Sequence, residues 1–337
     1  MNGIAANLKP EYFKVKDFRL ASGGILPEMV VEYITLGNPK RNARGGIENT
    51  VLWCHGWSGS CIQGPTLYGK AFGPGRPLDP ERYYIICPSA LGSPGSSSPF
   101  SSGLGPDFPR YTIADMVRAQ YLLLTRHLGV GRLKGVAGGS MGGHQTLQWI
   151  CDYPDFMDWA IPIATGPSST GRVVGIWGLM SETIKADPAY RGGYYTEQPK
   201  DALRRAFMGT YLWYFAPAYY QLEYRSPEAV MKGLEDAGMG NATADANDVV
   251  WRNDAMISFN VENKLRAVKA KTLVVGVNDD ALYPPAEEFQ RVALGIPGAK
   301  LFAYDSILGH MGNSRDLDKA TDVMKTFIDE AEGGSKG

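Results

Sequence analysis

The chain has 337 residues, of which 44% are hydrophobic and 20% are charged, so we expect a packed globular core. Its 34 Lys and Arg residues nearly balance its 35 Asp and Glu residues, which argues against a nucleic-acid partner or an anionic membrane surface. No apolar run is long enough to span a bilayer, and residues 1–10 lack the apolar stretch of a secretory signal. We therefore expect a cytoplasmic protein with no membrane partner.

Cysteine and histidine are too sparse and too scattered to suggest a disulfide framework or a metal site. None of the four cysteines is in C-x-x-C spacing, and the four histidines include no H-x-x-x-H pair. We expect reduced, mostly buried thiols, no metal and no cofactor. The cysteines are Cys54, Cys61, Cys87 and Cys151.

Alternation and apolar runs predict a series of β-strands along the chain. Two stretches near the N-terminus, residues 12–20 and 29–36, alternate like antiparallel strands at a sheet edge. Short, nearly continuous apolar runs follow, as expected of parallel strands that are buried on both faces. These runs are residues 51–54, 83–87, 135–137, 159–163, 272–276 and 301–304.

Helical patterns lie between several of the predicted strands. The clearest one begins at Thr112, where Asp115 completes a capping box, and continues to His127. Another covers residues 317–331 near the C-terminus. This alternation of strands and helices predicts an α/β protein with a mainly parallel central sheet that is flanked by helices.

The alternation is interrupted between residues 166 and 270, where the pattern is helical and rich in aromatic residues and methionine. Such a segment between two parallel strands predicts an inserted helical lid over residues 166–270, with residues 1–165 and 271–337 forming the core domain. The aromatic side chains fit an ordinary core, the roof of a substrate pocket or a dimer surface, and these alternatives do not exclude one another. Tyr211 and Trp213 are the lid residues that we expect in a substrate pocket.

The segment from Gly138 to Gly143 carries the strongest functional signal of the chain. Its sequence is Gly-Gly-Ser-Met-Gly-Gly, and it lies between an apolar strand and a helical pattern that begins at His144. A G-x-S-x-G motif in this context predicts a nucleophile elbow, a tight turn whose glycines leave room for an exposed serine hydroxyl. Ser140 is therefore the candidate nucleophile, and the expected fold is the α/β-hydrolase fold.

The base that would activate Ser140 is identified by its order along the chain. In an α/β hydrolase the nucleophile is followed by an acid and then by a histidine. His55 and His127 precede Ser140, and His144 lies one helical turn after it, so only His310 remains. His310 lies in a glycine-rich loop after a predicted strand, from which an imidazole ring can reach the serine.

The acid and the oxyanion hole are less narrowly defined by the residues alone. Asp279 and Asp280 both follow a predicted strand, and the pattern does not separate them. One of them is expected to orient His310 and to stabilise its cation. The oxyanion hole needs two backbone N–H groups, for which we predict those of Met141, at the start of the elbow helix, and Trp57, in the loop after an early strand.

These residues predict acyl chemistry through a serine ester. Ser140, deprotonated by His310, attacks an acyl carbonyl, and the acyl group then passes to a second nucleophile. Water as the second nucleophile makes the protein a hydrolase, whereas an alcohol makes it an acyltransferase. The triad is compatible with both activities.

Several longer segments resemble the homoserine O-acetyltransferases and their relatives within the α/β hydrolases. The similarity extends over nearly the whole chain, and its sharpest segments are residues 107–109, 115–120, 138–143, 272–277, 280–285, 296–299 and 309–310. In that family the triad acid is the aspartate just before the segment that residues 281–285 match, which implies Asp280 rather than Asp279. The resemblance also implies a helical lid and a homodimer formed through it.

The departures from that family concern the substrate pocket. Its transferases have an aspartate directly after the catalytic histidine, where this chain has Met311. They also have a lid arginine that helps to hold homoserine, and its position falls near Thr210 here. An apolar Met311 cannot balance the ammonium group of homoserine, so we place Met311 in an apolar substrate pocket instead.

We therefore predict a serine-dependent carboxylic ester hydrolase that acts on small acyl esters, notably acetates. An acyl-CoA-dependent O-acyltransferase of the homoserine O-acetyltransferase type is the alternative. A non-catalytic, hydrolase-like binding protein is a minor alternative. The expected partners are a small-molecule acyl ester and a second copy of the chain, in a homodimer formed through the lid.

Overall fold

An eight-stranded sheet forms the centre of the protein, whose computed structural model describes residues 8–333. Across the sheet the strands follow the order β1-β2-β4-β3-β5-β6-β7-β8, numbered along the chain. Antiparallel pairing joins β1 to β2 and β2 to β4, and all other neighbouring strands are parallel. The prediction of a mainly parallel α/β sheet is confirmed. The strands are β1 (Glu11–Arg19), β2 (Ile25–Leu36), β3 (Thr50–Cys54), β4 (Tyr84–Pro88), β5 (Leu133–Gly139), β6 (Met157–Ile163), β7 (Lys271–Val277) and β8 (Lys300–Tyr304).

Helices cover the sheet and fill the long connection between β6 and β7. In the described part of the chain, no helix combines the length and the apolar character needed to cross a bilayer. The α-helices are α1 (Gln63–Leu67), α2 (Ile113–Leu122), α3 (Met141–Asp152), α4 (Gly171–Lys185), α5 (Lys200–Tyr211), α6 (Pro217–Glu223), α7 (Pro227–Asn241), α8 (Ala246–Ile257), α9 (Phe289–Gly295), α10 (Gly312–Arg315) and α11 (Asp318–Gly333).

The N-terminus of α2 has the capping box that its sequence predicts. The Thr112 hydroxyl accepts a hydrogen bond from the Asp115 backbone N–H, and the Asp115 carboxylate accepts one from the Thr112 backbone N–H. The predicted helix over residues 112–127 is divided, because α2 ends at Leu122 and a π-helical turn continues to His127. The two segments together cover the predicted range.

The burial of each strand shows how well its sequence pattern predicted it. Every residue of β3 is buried, as expected of a strand covered on both faces. By contrast, β8 is the edge strand and its first two residues are exposed, although its sequence also reads as an apolar run. The antiparallel strand β2 begins at Ile25, four residues earlier than the alternation over residues 29–36 predicts.

Helices α4 to α8 lie between β6 and β7, and we call residues 164–270 the helical insertion. Within it, α4 packs against α5 and α8. Trp177 and Phe207 are buried, which fits the ordinary-core explanation for part of the aromatic content, whereas Tyr194 is exposed. The division of the chain into a core domain and a separate lid stays a prediction.

All four cysteines are unpaired, and only Cys151 is not fully buried. Burial raises the pKa of Cys61 and that of Cys151 to about 12 in each case. These thiols therefore remain protonated near neutral pH, and the thiolate is the nucleophilic form of cysteine. Their environments are unlike those of reactive cysteines.

Candidate active site

Ser140 lies at the sharp turn between β5 and α3, and its backbone is strained. Its φ is 59° and its ψ is −120°, a conformation that residues other than glycine rarely adopt. The turn is fixed by a hydrogen bond of 2.9 Å from the Ser140 N–H to the Ile163 carbonyl. A Cβ atom on Gly138 or on Gly142 would lie 2.5 or 2.1 Å from the Cys54 carbonyl oxygen. Only glycine fits at these two positions, which accounts for the motif.

A chain of hydrogen bonds joins Ser140, His310 and Asp280. The distance from Ser140 Oγ to His310 Nε2 is 2.9 Å, and His310 Nδ1 lies 2.7 Å from Asp280 Oδ2. The second carboxylate oxygen of Asp280 accepts hydrogen bonds of 2.8 Å from the backbone N–H groups of Leu282 and Tyr283. The side chains of Ser140, His310 and Asp280 are all buried, so protein groups rather than water molecules surround them.

The carboxylate of the neighbouring residue, Asp279, is not part of this row of hydrogen bonds. Its Oδ2 atom accepts a hydrogen bond of 2.8 Å from the backbone N–H of Ser306 and thereby ties the end of β7 to the loop after β8. The geometry therefore brings Asp280, and not Asp279, to His310. Catalytic roles for Ser140, His310 and Asp280 stay a prediction that the measurements below address.

The loop that carries His310 is held from two sides. On the core side, Asn313 donates a hydrogen bond from its side-chain amide to the His310 carbonyl and accepts one from the Tyr68 hydroxyl. On the other side, the Met311 N–H donates to the carbonyl of Tyr214 in the helical insertion, at 3.1 Å. Sequence reasoning did not find Asn313 or Tyr68, because nothing local in the sequence links two residues so far apart.

Of the two residues predicted to supply amides to the oxyanion hole, Met141 directly follows Ser140 in the chain, and Trp57 lines the same cavity as Ser140. Met141 is the first residue of α3, so its N–H has no acceptor within the helix. The Trp57 carbonyl accepts a hydrogen bond of 3.0 Å from Arg252, and its indole donates one of 3.0 Å to Asn253. Both ends of Trp57 are thus fixed by α8. The oxyanion hole itself stays a prediction.

Ser140 and His310 open onto a cavity of about 300 Å³, which we call the site cavity. Most of its wall is aromatic or small and uncharged. Among the lining residues that the structure describes, none is Asp or Glu, and Arg315 is the one permanent cation. Its wall also includes Trp57, Gln63, Leu67, Tyr68, Trp177, Phe207, Tyr211, Tyr214, Phe215, Asn241, Leu282, Met311, Asn313 and Ser314.

Tyr211 and Met311 line the site cavity, but the sequence-based placement of Trp213 there requires a correction. Trp213 is not part of the cavity wall, and the Arg172 guanidinium lies over its ring, 5.2 Å from the centroid. The backbone after α5 continues as a helical turn, in which the Tyr214 N–H donates to the Tyr211 carbonyl at 3.1 Å. Residues three apart share one side of such a turn, so Tyr214 occupies the side predicted for Trp213.

Two of the remaining histidines are buried and neutral near the site. His55 donates from Nδ1 to the Gly56 carbonyl at 2.7 Å and accepts at Nε2 from the Ala90 N–H at 2.8 Å, so it braces the loop after β3. His144 stacks on Phe259 with ring centroids 4.2 Å apart. Burial lowers the pKa of His55 to about 4 and that of His144 to about 3. Neither ring carries charge near neutral pH.

Glu288 is a buried carboxyl group near the candidate acid. It packs so closely on Gly166 that a Cβ atom there would lie 1.6 Å from Glu288 Oε2. Burial and, to a smaller extent, the charge of Asp280 raise the pKa of Glu288 to about 8. An unfolded chain releases this proton at a much lower pH, since the ordinary pKa is 4.5. Stability should therefore fall as pH rises between these two values, because the folded state holds more protons there.

Glu288→Gln should remove this loss of stability. We expect the free energy of unfolding of the variant to rise relative to that of the wild type by roughly 4 kcal/mol between about pH 5 and pH 8, and the difference should then level off. Urea unfolding at several pH values measures it. Glu287→Gln, which changes an exposed neighbour, should alter the pH profile much less, because the charge of Glu287 is only a minor cause of the raised pKa of Glu288. Parallel profiles for Glu288→Gln and the wild type would contradict the assignment of a raised pKa.

Comparison with known proteins identifies the family. The family model described as the alpha/beta hydrolase fold matches residues 49–305 of the chain. A homoserine O-acetyltransferase of Trichormus variabilis is 34% identical over 345 aligned positions, which cover 94% of this chain and 93% of that protein. The protein belongs to the homoserine O-acetyltransferase-like α/β hydrolases. It is an enzyme of the α/β hydrolase superfamily, and the predicted fold is confirmed.

Other relatives of this α/β hydrolase carry names from both sides of acyl chemistry. A probable acyltransferase of Methanothermobacter thermautotrophicus is 39% identical over 318 residues, covering 94% of this chain and 97% of that protein. Among solved structures, an acetylester hydrolase from Corynebacterium glutamicum has a TM-score of 0.84 and 27% identity, covering 95% of this chain and 96% of that chain. Acetyl transfer and acetyl ester hydrolysis are thus both found among its relatives.

Proposed function

We propose that the protein is a serine-dependent carboxylic ester hydrolase that acts on small acyl esters, notably acetates. The observation that carries this proposal is the hydrogen-bonded chain of Ser140, His310 and Asp280 at the wall of a cavity that holds no carboxylate among its described residues. A hydrolase for acetyl esters is also found among the structural neighbours.

The proposed reaction has two halves, both centred on Ser140. His310 Nε2 takes the proton as Ser140 Oγ attacks the acyl carbonyl, and Asp280 stabilises the imidazolium ion. The Trp57 and Met141 amides would hold the negative charge on the carbonyl oxygen. The alcohol leaves with the proton from His310, which produces an acyl-serine. Water then attacks this ester, its proton passes to His310, and the acid departs as Ser140 is restored.

The composition of the cavity wall argues against a zwitterionic acceptor such as homoserine. An ammonium group that leaves water requires a negative partner, and its desolvation is costly without one. Met311 stands where the resemblance places an aspartate in the amino-acid transferases, and no Asp or Glu is found among the described wall residues. Water is an acceptor that needs no such partner.

Acyl transfer to an alcohol is the second candidate, and the sequence relatives favour it. The two named above, at 39% and 34% identity, are a probable acyltransferase and a homoserine O-acetyltransferase. Transfer would use the same acyl-serine and differ only in the second nucleophile. Only a direct competition between water and an alcohol as acceptors can therefore distinguish the two candidate functions.

The test uses the purified protein with p-nitrophenyl esters of increasing acyl length and, separately, with acetyl-CoA and homoserine. We expect steady release of p-nitrophenol with equal release of acetate, and kcat/KM should fall by about tenfold or more from acetyl to octanoyl, because a cavity of about 300 Å³ holds only a small ester. Acetyl-CoA with homoserine should give slower turnover than the acetyl ester. Faster release of CoA than of p-nitrophenol, together with O-acetylhomoserine as product, would establish the transferase instead.

A further inference from the structure

The site cavity contains a cation that the proposed chemistry does not use. Arg315, the last residue of α10, is exposed and belongs to the same cavity wall as Ser140. Within residues 8–333, its guanidinium has no carboxylate at ion-pair distance. The adjacent Asp316 is already engaged, because its carboxylate accepts from Lys319 at 3.2 Å and from the Ser306 hydroxyl at 2.7 Å.

The backbone of Arg315 is anchored next to His310, and its exposed guanidinium contacts an aromatic ring. Its guanidinium lies over the ring of Phe215, 5.7 Å from the centroid, and that buried ring stacks on Tyr219 with centroids 4.1 Å apart. The backbone of α10 continues directly from the turn that carries His310, and Asn313 binds the His310 carbonyl. The backbone of Arg315 is therefore held at a constant place relative to the candidate base, and its guanidinium rests on the Phe215 ring.

We propose that Arg315 binds a carboxylate carried by the ester substrate, so that the enzyme prefers small anionic esters. This inference rests on the proposed function and names its substrate class. A cavity wall with one permanent cation, and with no carboxylate among its described residues, favours a negative over a positive substrate group. The planar guanidinium presents two parallel N–H donors, a geometry that matches a carboxylate.

The charge preference is tested with two esters of nearly equal shape, 4-acetoxybenzoate and its methyl ester. Arg315→Gln should lower the ratio of kcat/KM for the anionic ester to that for the neutral ester by about fivefold, since an exposed ion pair is partly screened by water. Most of this change should appear in KM. Arg315→Lys should keep more of the ratio than Arg315→Gln, and the wild-type ratio should fall with added salt. Arg225→Gln, at an exposed arginine outside the cavity wall, should keep the wild-type ratio.

The readout separates this inference from the proposed hydrolase activity. The phenol leaves when Ser140 is acylated. Its release in the first turnover therefore measures the effect of Arg315 on acylation, whether or not water is the final acceptor. A first-turnover burst without steady turnover would overturn hydrolysis and leave the charge ratio measurable. An unchanged ratio in Arg315→Gln would overturn the role of Arg315 and leave hydrolysis intact. Calorimetry with 4-hydroxybenzoate gives an independent result, since its affinity should also fall by about fivefold in Arg315→Gln.

A phosphate of a thioester donor would use a guanidinium in the same way as a carboxylate. A second pair of substrates, acetyl-CoA and the phosphate-free S-acetylpantetheine, shows whether Arg315 binds a substrate carboxylate or a donor phosphate. We expect Arg315→Gln to change the ratio within the benzoate pair and not the ratio within the thioester pair. A change confined to the thioester pair would overturn the carboxylate assignment.

Discussion

Ser140→Ala is expected to reduce ester hydrolysis by about 10⁵-fold or more, to a residual rate that only binding and the oxyanion donors support. The loss follows from geometry, because Ser140 Oγ is the atom that lies 2.9 Å from the imidazole of His310. Steady-state release of p-nitrophenol, backed by single-turnover measurements, gives the rate. A phosphonate inhibitor should add mass to the wild-type peptide that contains Ser140 and none to the variant.

The control for this variant concerns the strain at the elbow. Serine and alanine both carry a Cβ atom, so the unusual backbone of residue 140 is equally strained in both proteins. Thermal unfolding should therefore be nearly unchanged, and Ser22→Ala, at an exposed serine, should retain full activity. If Ser140→Ala kept more than about a hundredth of the wild-type rate, a different nucleophile would be required and the proposed acyl-serine would be wrong.

The elbow could be predicted from sequence because its requirements are local. Gly138 and Gly142 approach the Cys54 carbonyl so closely that no side chain fits, and this restriction leaves a short motif between a strand and a helix. The capping box at Thr112 is equally local, since both of its hydrogen bonds join residues three apart. Features of this kind are recorded in neighbouring residues, so one sequence is enough to find them.

His310 could be placed by elimination, whereas its supports could not. The order of the triad along the chain and the small number of histidines left one candidate. By contrast, the Tyr68 hydroxyl donates a hydrogen bond to Asn313, which is distant in sequence, and no sequence pattern predicts that contact. Asp279 and Asp280 differ only in which direction each carboxylate points, and that direction is set by the end of β7.

The cavity wall was the least predictable part because it combines several segments. The error at Trp213 arose within a single helical turn, in which adjacent residues point in different directions and Tyr214, not Trp213, lines the cavity. The role proposed for Arg315 could not be predicted from neighbouring residues either. It depends on the lack of a carboxylate among the described wall residues and on the pairing of Asp316 with Lys319. Substrate preference therefore depends on three-dimensional context that the motif does not contain.

Asp280→Asn is expected to lower kcat by about 10⁴-fold while KM changes little. The amide oxygen of the new residue can still accept from the Leu282 and Tyr283 N–H groups, so its NH₂ group is turned toward His310. That NH₂ group donates to Nδ1, which places the ring proton on Nε2. An imidazole with a proton on Nε2 cannot accept the proton of Ser140. The rates of ester hydrolysis at saturating and at limiting substrate measure the two parameters.

Asp279→Asn is the matched control, one residue away and with the same loss of charge. The Asp279 side chain needs only to accept from the Ser306 N–H, and an amide oxygen can do so. We therefore expect this variant to keep most of the wild-type kcat and both variants to unfold at similar temperatures. A larger loss of kcat in Asp279→Asn than in Asp280→Asn would contradict the assignment of the acid. An equal, small loss in both would mean that the tautomer of His310 is fixed by another group, and the hydrogen bond of 2.7 Å to Asp280 argues against that outcome.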